Sequence, residues 1–292
     1  MEKSPSLSQA TGQQGFTLLE LLAAMAILTL VLIFFTEVIR NVSNVTGTGR
    51  QRLDVDASAR IALDVMADDL AKQVKRRDVD FLVSKNVGND EFYFYSEAPA
   101  LSGSGSADTA ALIGYKVTTG TSGTCGLQRI GEGLLLTTGS GVASYPSRLR
   151  DYISSIPSTA IQPLCKEVIR MEVEFMKNDG TFLAALPTRS DSGEPAYSYV
   201  TASGTLGQIA ANQVPDWGNI RAMVVTIVCI DREKQALLSE SDLENITNTF
   251  VDAANGATSS IASAWSTVAE TTHFPKIGGA VRVYRRFFPI NE

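Results

Sequence analysis

One carboxylate, Glu20, sits inside an otherwise uncharged apolar run from Phe16 to Thr36. Burying such a charge in hydrocarbon costs on the order of 3 kcal/mol by insertion scales, so its presence there implies a partner of opposite charge. Other chemistry-bearing residues are sparse. The single histidine, His273, lies in loop-like sequence beside Phe274-Pro275, and no GxSxG, GxGxxG, phosphate-binding-loop or HExxH pattern accompanies it. No catalytic residue, metal ligand set or cofactor is therefore expected. Asp90, Glu91 and Asp191 lack the spacing of a calcium loop and read as solvated loop acids.

Three cysteines, Cys125, Cys165 and Cys229, are too few for a disulfide scaffold and show no CxxC spacing for zinc or redox work. Cys229 falls in the apolar run Met223 to Ile230 and reads as a core thiol, whereas Cys125 and Cys165 lie beside loop-like sequence. In an oxidising compartment these two are either bridged or free, and the odd count leaves at least one thiol unpaired.

The element that must position Glu20 is the run itself. As a helix, positions 16 to 35 rise about 30 Å, the hydrocarbon thickness of a bilayer. A secretory signal peptide has a shorter apolar core with its positive charge in front. A plain single-pass anchor accounts for the length and leaves Glu20 unexplained.

The stretch GFTLLELLAAMAIL resembles the N-terminal signature of type IV pilin-like proteins, including the pseudopilins of type II secretion. The resemblance implies that a prepilin peptidase cuts after Gly15, that the exposed Phe16 is N-methylated, and that Glu20 is the fifth residue of the mature chain. It also implies other pilin-like subunits, an inner-membrane assembly platform and membrane lipid as partners. Cutting before Phe16 creates an ammonium at the apolar end of a helix, and methylation keeps its charge. Glu20 of a neighbouring subunit can pair with it, and breaking such a pair in a greasy environment costs several kcal/mol. The leader carries only Lys3, offset by Glu2, while Arg40, Arg50 and Arg52 follow the run. The positive-inside rule alone would place the N-terminus outside; the resemblance places the leader in the cytoplasm.

With 292 residues, 44% hydrophobic and 19% charged, the composition is globular. A net charge of −6 provides no basic footprint for nucleic acid. After the run, Asn41 to Gly49 reads NVSNVTGTG, either a juxtamembrane linker or a helix able to loosen, since two glycines cost about 2 kcal/mol relative to alanine. From Gln51 to Arg77 an amphipathic helix places Ala59, Leu63, Met66, Leu70 and Val74 on one face, and Asp64, Asp68, Lys72 and Arg76 on a solvated one. ALDVMADDLAKQV within it is similar to the helix end of J-type minor pseudopilins.

Beyond Arg77 the period shortens. Strands are predicted at Phe92 to Ser96, Leu112 to Thr118, Leu134 to Thr138, Val168 to Lys177, Ile220 to Ile230 and Val281 to Phe288, with Asn178-Asp179-Gly180 as a hairpin turn. Leu101 to Asp108 is a Ser/Gly-rich loop. A helical insertion at about 239 to 272 opens with a capping box of Ser241 and Glu244, and serves either packing or a partner surface. The closing strand, with its apolar-Pro tail, resembles J-type pseudopilins, and the large domain is similar to the Verru_Chthon cassette pilin-like proteins.

The expected architecture is α+β: a leader at 1–15, a transmembrane helix at 16–36, its continuation or linker at 37–78, and an antiparallel β-rich domain at 79–292, on which the second half of the long helix packs. The resemblance implies a minor pilin-like structural subunit, single-pass in the inner membrane with its globular domain in the periplasm, and entering a pseudopilus or pilus. The alternative is a membrane-anchored binding module or tip adhesin. A fragment beginning at Gln51 should be soluble and show mixed helix and sheet by circular dichroism; aggregation under every condition tried would contradict this division.

Overall fold

A computed structural model of the chain describes residues 17–74, 81–85, 88–101, 109–119, 125–135, 153, 156–185, 188–190, 198–200, 206–208, 213–215, 217–274 and 276–290. They divide into two compact units, Met1–Gln51 and Arg52–Glu292. Helix α1, Leu18–Ala71, contributes to both and runs through the Asn41 to Gly49 stretch as helix. It stops at Ala71, short of Arg77, because sheet pairing takes over: the Val74 N–H donates to the Tyr95 carbonyl at 2.8 Å and Gln73 bridges to Ser96.

In the second unit a five-stranded antiparallel sheet runs in the order β1 (Phe81–Ser84), β2 (Glu91–Ser96), β3 (Thr109–Thr119), β4 (Cys125–Leu135) and β5 (Ile161–Cys165). The predicted strand at Leu134 to Thr138 is the end of β4, and 136–138 lie outside the described residues. The sequence pattern missed β1, only four residues long, and most of β4 and β5, where Gln128, Arg129 and Glu132, three glycines and Pro163 break the apolar alternation. Gly114 is required in β3: a Cβ there would lie 2.3 Å from the ring of Tyr93, its partner across the strands.

After β5 come β6 (Val168–Lys177) and β7 (Phe182–Leu183), joined by the predicted turn, in which Gly180 takes φ 85°. The short strands β8 (Thr188–Ser190), β9 (Ser198–Val200), β10 (Leu206–Gln208) and β11 (Gln213–Pro215) pair as two ribbons, β8 with β11 and β9 with β10. Strand β12 (Ile220–Ile230) then enters a four-stranded antiparallel sheet, completed by the final strand β13 (Val281–Pro289), in the order β13-β12-β6-β7.

Between β12 and β13 lie α2 (Arg232–Gln235), α3 (Glu240–Thr249) and α4 (Ile261–Thr271). The capping box of α3 uses Ser239 and Asp242, two residues earlier than Ser241 and Glu244, because the helix begins at Glu240. Leu243, Ile246, Phe250 and Trp265 pack with Ile169, Val228 and Ile230, so the insertion covers one face of the four-stranded sheet.

The main core joins α1 to both sheets. Val55, Ala59, Ala62, Leu63 and Met66 meet Phe92, Phe94, Ile113 and Tyr115 of one sheet and Met171, Val173, Val225 and Ile227 of the other. Polar ties hold the same helix. Asp69, 3% exposed, accepts from Arg129 Nε at 2.6 Å and from Arg129 Nη2 at 3.0 Å, and also from the Tyr115 hydroxyl. Tyr284 donates to Asp56, and Arg286 donates to Asp64, which stays exposed on the solvated face. Asp68 is on the same solvated face and pairs with Lys72 at 2.6 Å.

The face of β6 turned toward the helical insertion is ionic. Arg170, Glu172 and Glu174 are at most 1% exposed. Glu172 accepts from Lys85 at 2.8 Å and from the Ala253 N–H at 3.0 Å; Arg170 pairs with Asp252 and lies 5.4 Å over the Trp265 ring. Glu174 accepts from the Ser260 hydroxyl at 2.6 Å. Asp90 belongs to this network and is 1% exposed, which corrects its reading as a solvated loop acid. It pairs with Lys85 and accepts from the Val173 N–H at 2.7 Å, which pins the loop before β2 to β6.

Burial pushes the Asp90 carboxyl up to about 7, reinforced by the Glu172 charge and opposed by Lys85. Its Oδ1 has no hydrogen-bond partner among the described residues, so ionisation there is poorly compensated. The folded state then holds a proton that the unfolded chain releases near 3.8. Stability conferred by that proton should therefore fall as pH rises from about 4 to about 7 and level off above. Chemical denaturation across that range should show the decline in the wild type and a flatter profile in Asp90→Asn; identical profiles would refute the assignment.

Candidate functional site

Residues 17–43 of α1 are exposed on every side in their own unit, and no window of this part is buried. An all-round apolar helix is stable in water only when something covers it. Its best window has a mean hydropathy of 2.7, and the helix is long and apolar enough to cross a membrane. The two threonines inside it satisfy their hydroxyls locally. Thr29 Oγ1 donates to the Ala26 carbonyl at 2.8 Å, and Thr36 Oγ1 to the Leu32 carbonyl at 2.8 Å. Neither hydroxyl carries an unmet hydrogen bond into an apolar medium.

Thr17 starts the helix. The Glu20 N–H donates to the Thr17 carbonyl at 3.1 Å and to Thr17 Oγ1 at 3.3 Å, an N-terminal cap of the Ser/Thr kind. Glu20 thus lies in the first turn, where the helix dipole favours a carboxylate. Among the described residues it has no ion-pair partner, so any cation that pairs with it comes from elsewhere. Gly15 and Phe16 lie outside the described residues. Sequence reading passed over a shallow apolar recess lined by Leu30, Val31, Phe34, Phe35 and Val38. The signal was present in the i, i+4 steps from Leu30 to Phe34 to Val38, a stripe hidden by equally apolar neighbours.

The other singled-out residues are not brought to this helix. His273 is exposed in a loop. Cys125, Cys165 and Cys229 are all buried free thiols. Cys125 and Cys165 do not form a pair here: Cys125 packs with Ile169, Val228 and Ile230 under the insertion, whereas Cys165 packs in the main core with Leu127, Val168 and Cys229. Burial alone pushes the Cys125 thiol up to about 11. No group of three or more acidic, histidine or cysteine side chains suited to a metal ion occurs among the described residues.

Residues 11–36 match the family model of the prokaryotic N-terminal methylation motif. The chain is 27% identical over 194 residues to the pilin-like protein PilA3 of Thermus thermophilus, covering 66% of this chain and 79% of that protein. A solved type IV-like pilin from Thermus thermophilus covers 80% of this chain and 93% of its own at 11% identity, with a TM-score of 0.36, too loose an overlap to bear on the fold. The methylation motif at the head of an anchor-length helix, together with a pilin-like relative along much of the chain, makes this chain similar to type IV pilin-like proteins.

Proposed function

We propose that the chain is a minor pilin-like structural subunit of a pseudopilus or pilus machine of the type II secretion or type IV pilus kind, rather than an enzyme. The observation that carries this reading is Glu20: one carboxylate in the first turn of an uncharged, fully exposed helix, with no cation beside it among the described residues. In this reading residues 1–15 are a leader removed by a prepilin peptidase, Phe16 becomes the methylated N-terminus, and the helix holds the subunit in the inner membrane with its folded unit in the periplasm. An assembly platform then moves it among other pilin-like subunits. The Phe16 ammonium of one subunit meets Glu20 of the next, so two isolated charges in lipid become one pair and the axial stagger is set. The apolar recess at Leu30 to Val38 accepts the neighbouring helix.

Cleavage after Gly15 requires an extended peptide with little bulk at that position. Gly15→Val should leave the leader attached, which intact-mass measurement of the membrane-extracted protein reads directly. Loss of fifteen residues from that variant would overturn the cleavage assignment.

Assembly depends on the charge of Glu20, not on insertion. Glu20→Ala and Glu20→Gln should both insert and be processed, but should co-purify with other pilin-like subunits several-fold less than the wild type after membrane crosslinking. Glu20→Gln is the sharper variant, because it keeps the shape and deletes the charge. Equal recovery of the Gln variant and the wild type would defeat the pairing account.

A further inference from the structure

The chain passes from one sheet to the other through the two-residue turn Lys166-Glu167, between Cys165 at the end of β5 and Val168 at the start of β6. Val168 lies directly opposite Cys229 in the β6–β12 pairing. The turn is pinned to the same place on β12, since the Ile230 N–H donates to the Glu167 carbonyl at 2.8 Å. A single two-residue turn therefore separates Cys165 from the residue that Cys229 faces. Both sulfurs point into the main core, where Cys165 is 2% exposed and Cys229 fully buried. The Cys165 thiol donates toward Glu167 at 3.3 Å, and after burial its proximity helps to raise the Cys229 thiol.

We propose that Cys165 and Cys229 are the chain's disulfide pair, formed by exchange with an external disulfide while the chain folds, and that Cys125 stays a free thiol. The Cys229 thiolate attacks one sulfur of the external disulfide, giving a mixed disulfide and releasing one thiolate. The Cys165 thiolate then attacks the Cys229 sulfur of that mixed disulfide and releases the second. The two cysteines lose two protons and two electrons, and the external disulfide is reduced to two thiols. Exchange precedes the closing of α1 over the core, because burial raises the Cys229 thiol well above its ordinary range and removes the thiolate that attacks. The bond would close the loop from 165 to 229, which contains β6, β7 and the two short ribbons, and would tie the junction between the two sheets to β12. A loop of that length is one whose closure constrains the unfolded chain strongly.

The test needs no assumption about compartment. The full chain in detergent is denatured, refolded in a buffer of oxidised and reduced glutathione, denatured again with an alkylating agent, and digested with trypsin without reduction. The expected product joins peptide 151–166, which holds Cys165, to peptide 222–232, which holds Cys229, two hydrogens lighter than their sum. Peptide 117–129, which holds Cys125, should be alkylated, and Cys125→Ala should leave the link in place. Joining of Cys125 to either other cysteine, or alkylation of all three, would overturn the proposal.

Discussion

The structure of the second unit depends on letting one helix touch two sheets at once. Ala59 and Ala62 leave room for close approach, and Leu63 and Met66 fill what remains, so the stripe fits aromatic packing on one side and aliphatic packing on the other. Phe81, Phe92, Phe94 and Tyr115 stack with ring centroids 5.2 to 6.5 Å apart, a broad surface that a larger residue at Ala59 or Ala62 would push away. Acids on the flanks of the stripe then choose the orientation. Asp69 is held in the fork of Arg129 on one sheet, and Asp56 and Asp64 meet Tyr284 and Arg286 on the other. Removing one member of the buried Asp69–Arg129 pair would leave an unpaired charge in the core, a loss of about 3–5 kcal/mol.

The interior is unusually ionic on the far side of the four-stranded sheet, where Arg170, Glu172, Glu174, Lys85 and Asp90 replace an apolar layer. Their bonds reach in three directions: to the loop before β2, to the Asp252–Ala253 segment and to the start of α4. Such a layer contributes little net stability, because desolvation offsets most of the attraction, but it tolerates few alternative arrangements. Trp265, anchored by its Nε1–H to the Val251 carbonyl at 2.9 Å and set edge-on to Phe250, closes it on the outside.

Set beside these acids, Glu20 is the exception. Asp69, Asp90, Glu172 and Glu174 are buried and each is engaged within the chain, whereas Glu20 has no cation beside it among the described residues. In the proposed reading, this carboxylate at the head of an apolar helix is where a cation of another molecule pairs. The proposed assembly role follows from this contrast in charge satisfaction more than from the sheet domain.

The amino-acid sequence by itself determined the apolar helix, the place of Glu20 in it, and strands β6 and β12, which begin and end where their residues predict. Those features are local: a bilayer-length run and the residue pattern of a strand are each written in consecutive residues. Tertiary structure decided what depends on neighbours distant in sequence. Strands β4 and β5 carry glycines, proline or charges and are strands because the sheet beside them needs partners. Asp90 looks like a surface acid until β6, distant in the chain, brings the Val173 N–H to its carboxylate. The surroundings of the cysteines were equally out of reach, because spacing cannot show that β12 brings Cys229 opposite Val168 while Cys125 is turned to a different core. Contacts between residues far apart in the chain leave no periodic trace in either segment, so only the packed fold reveals them.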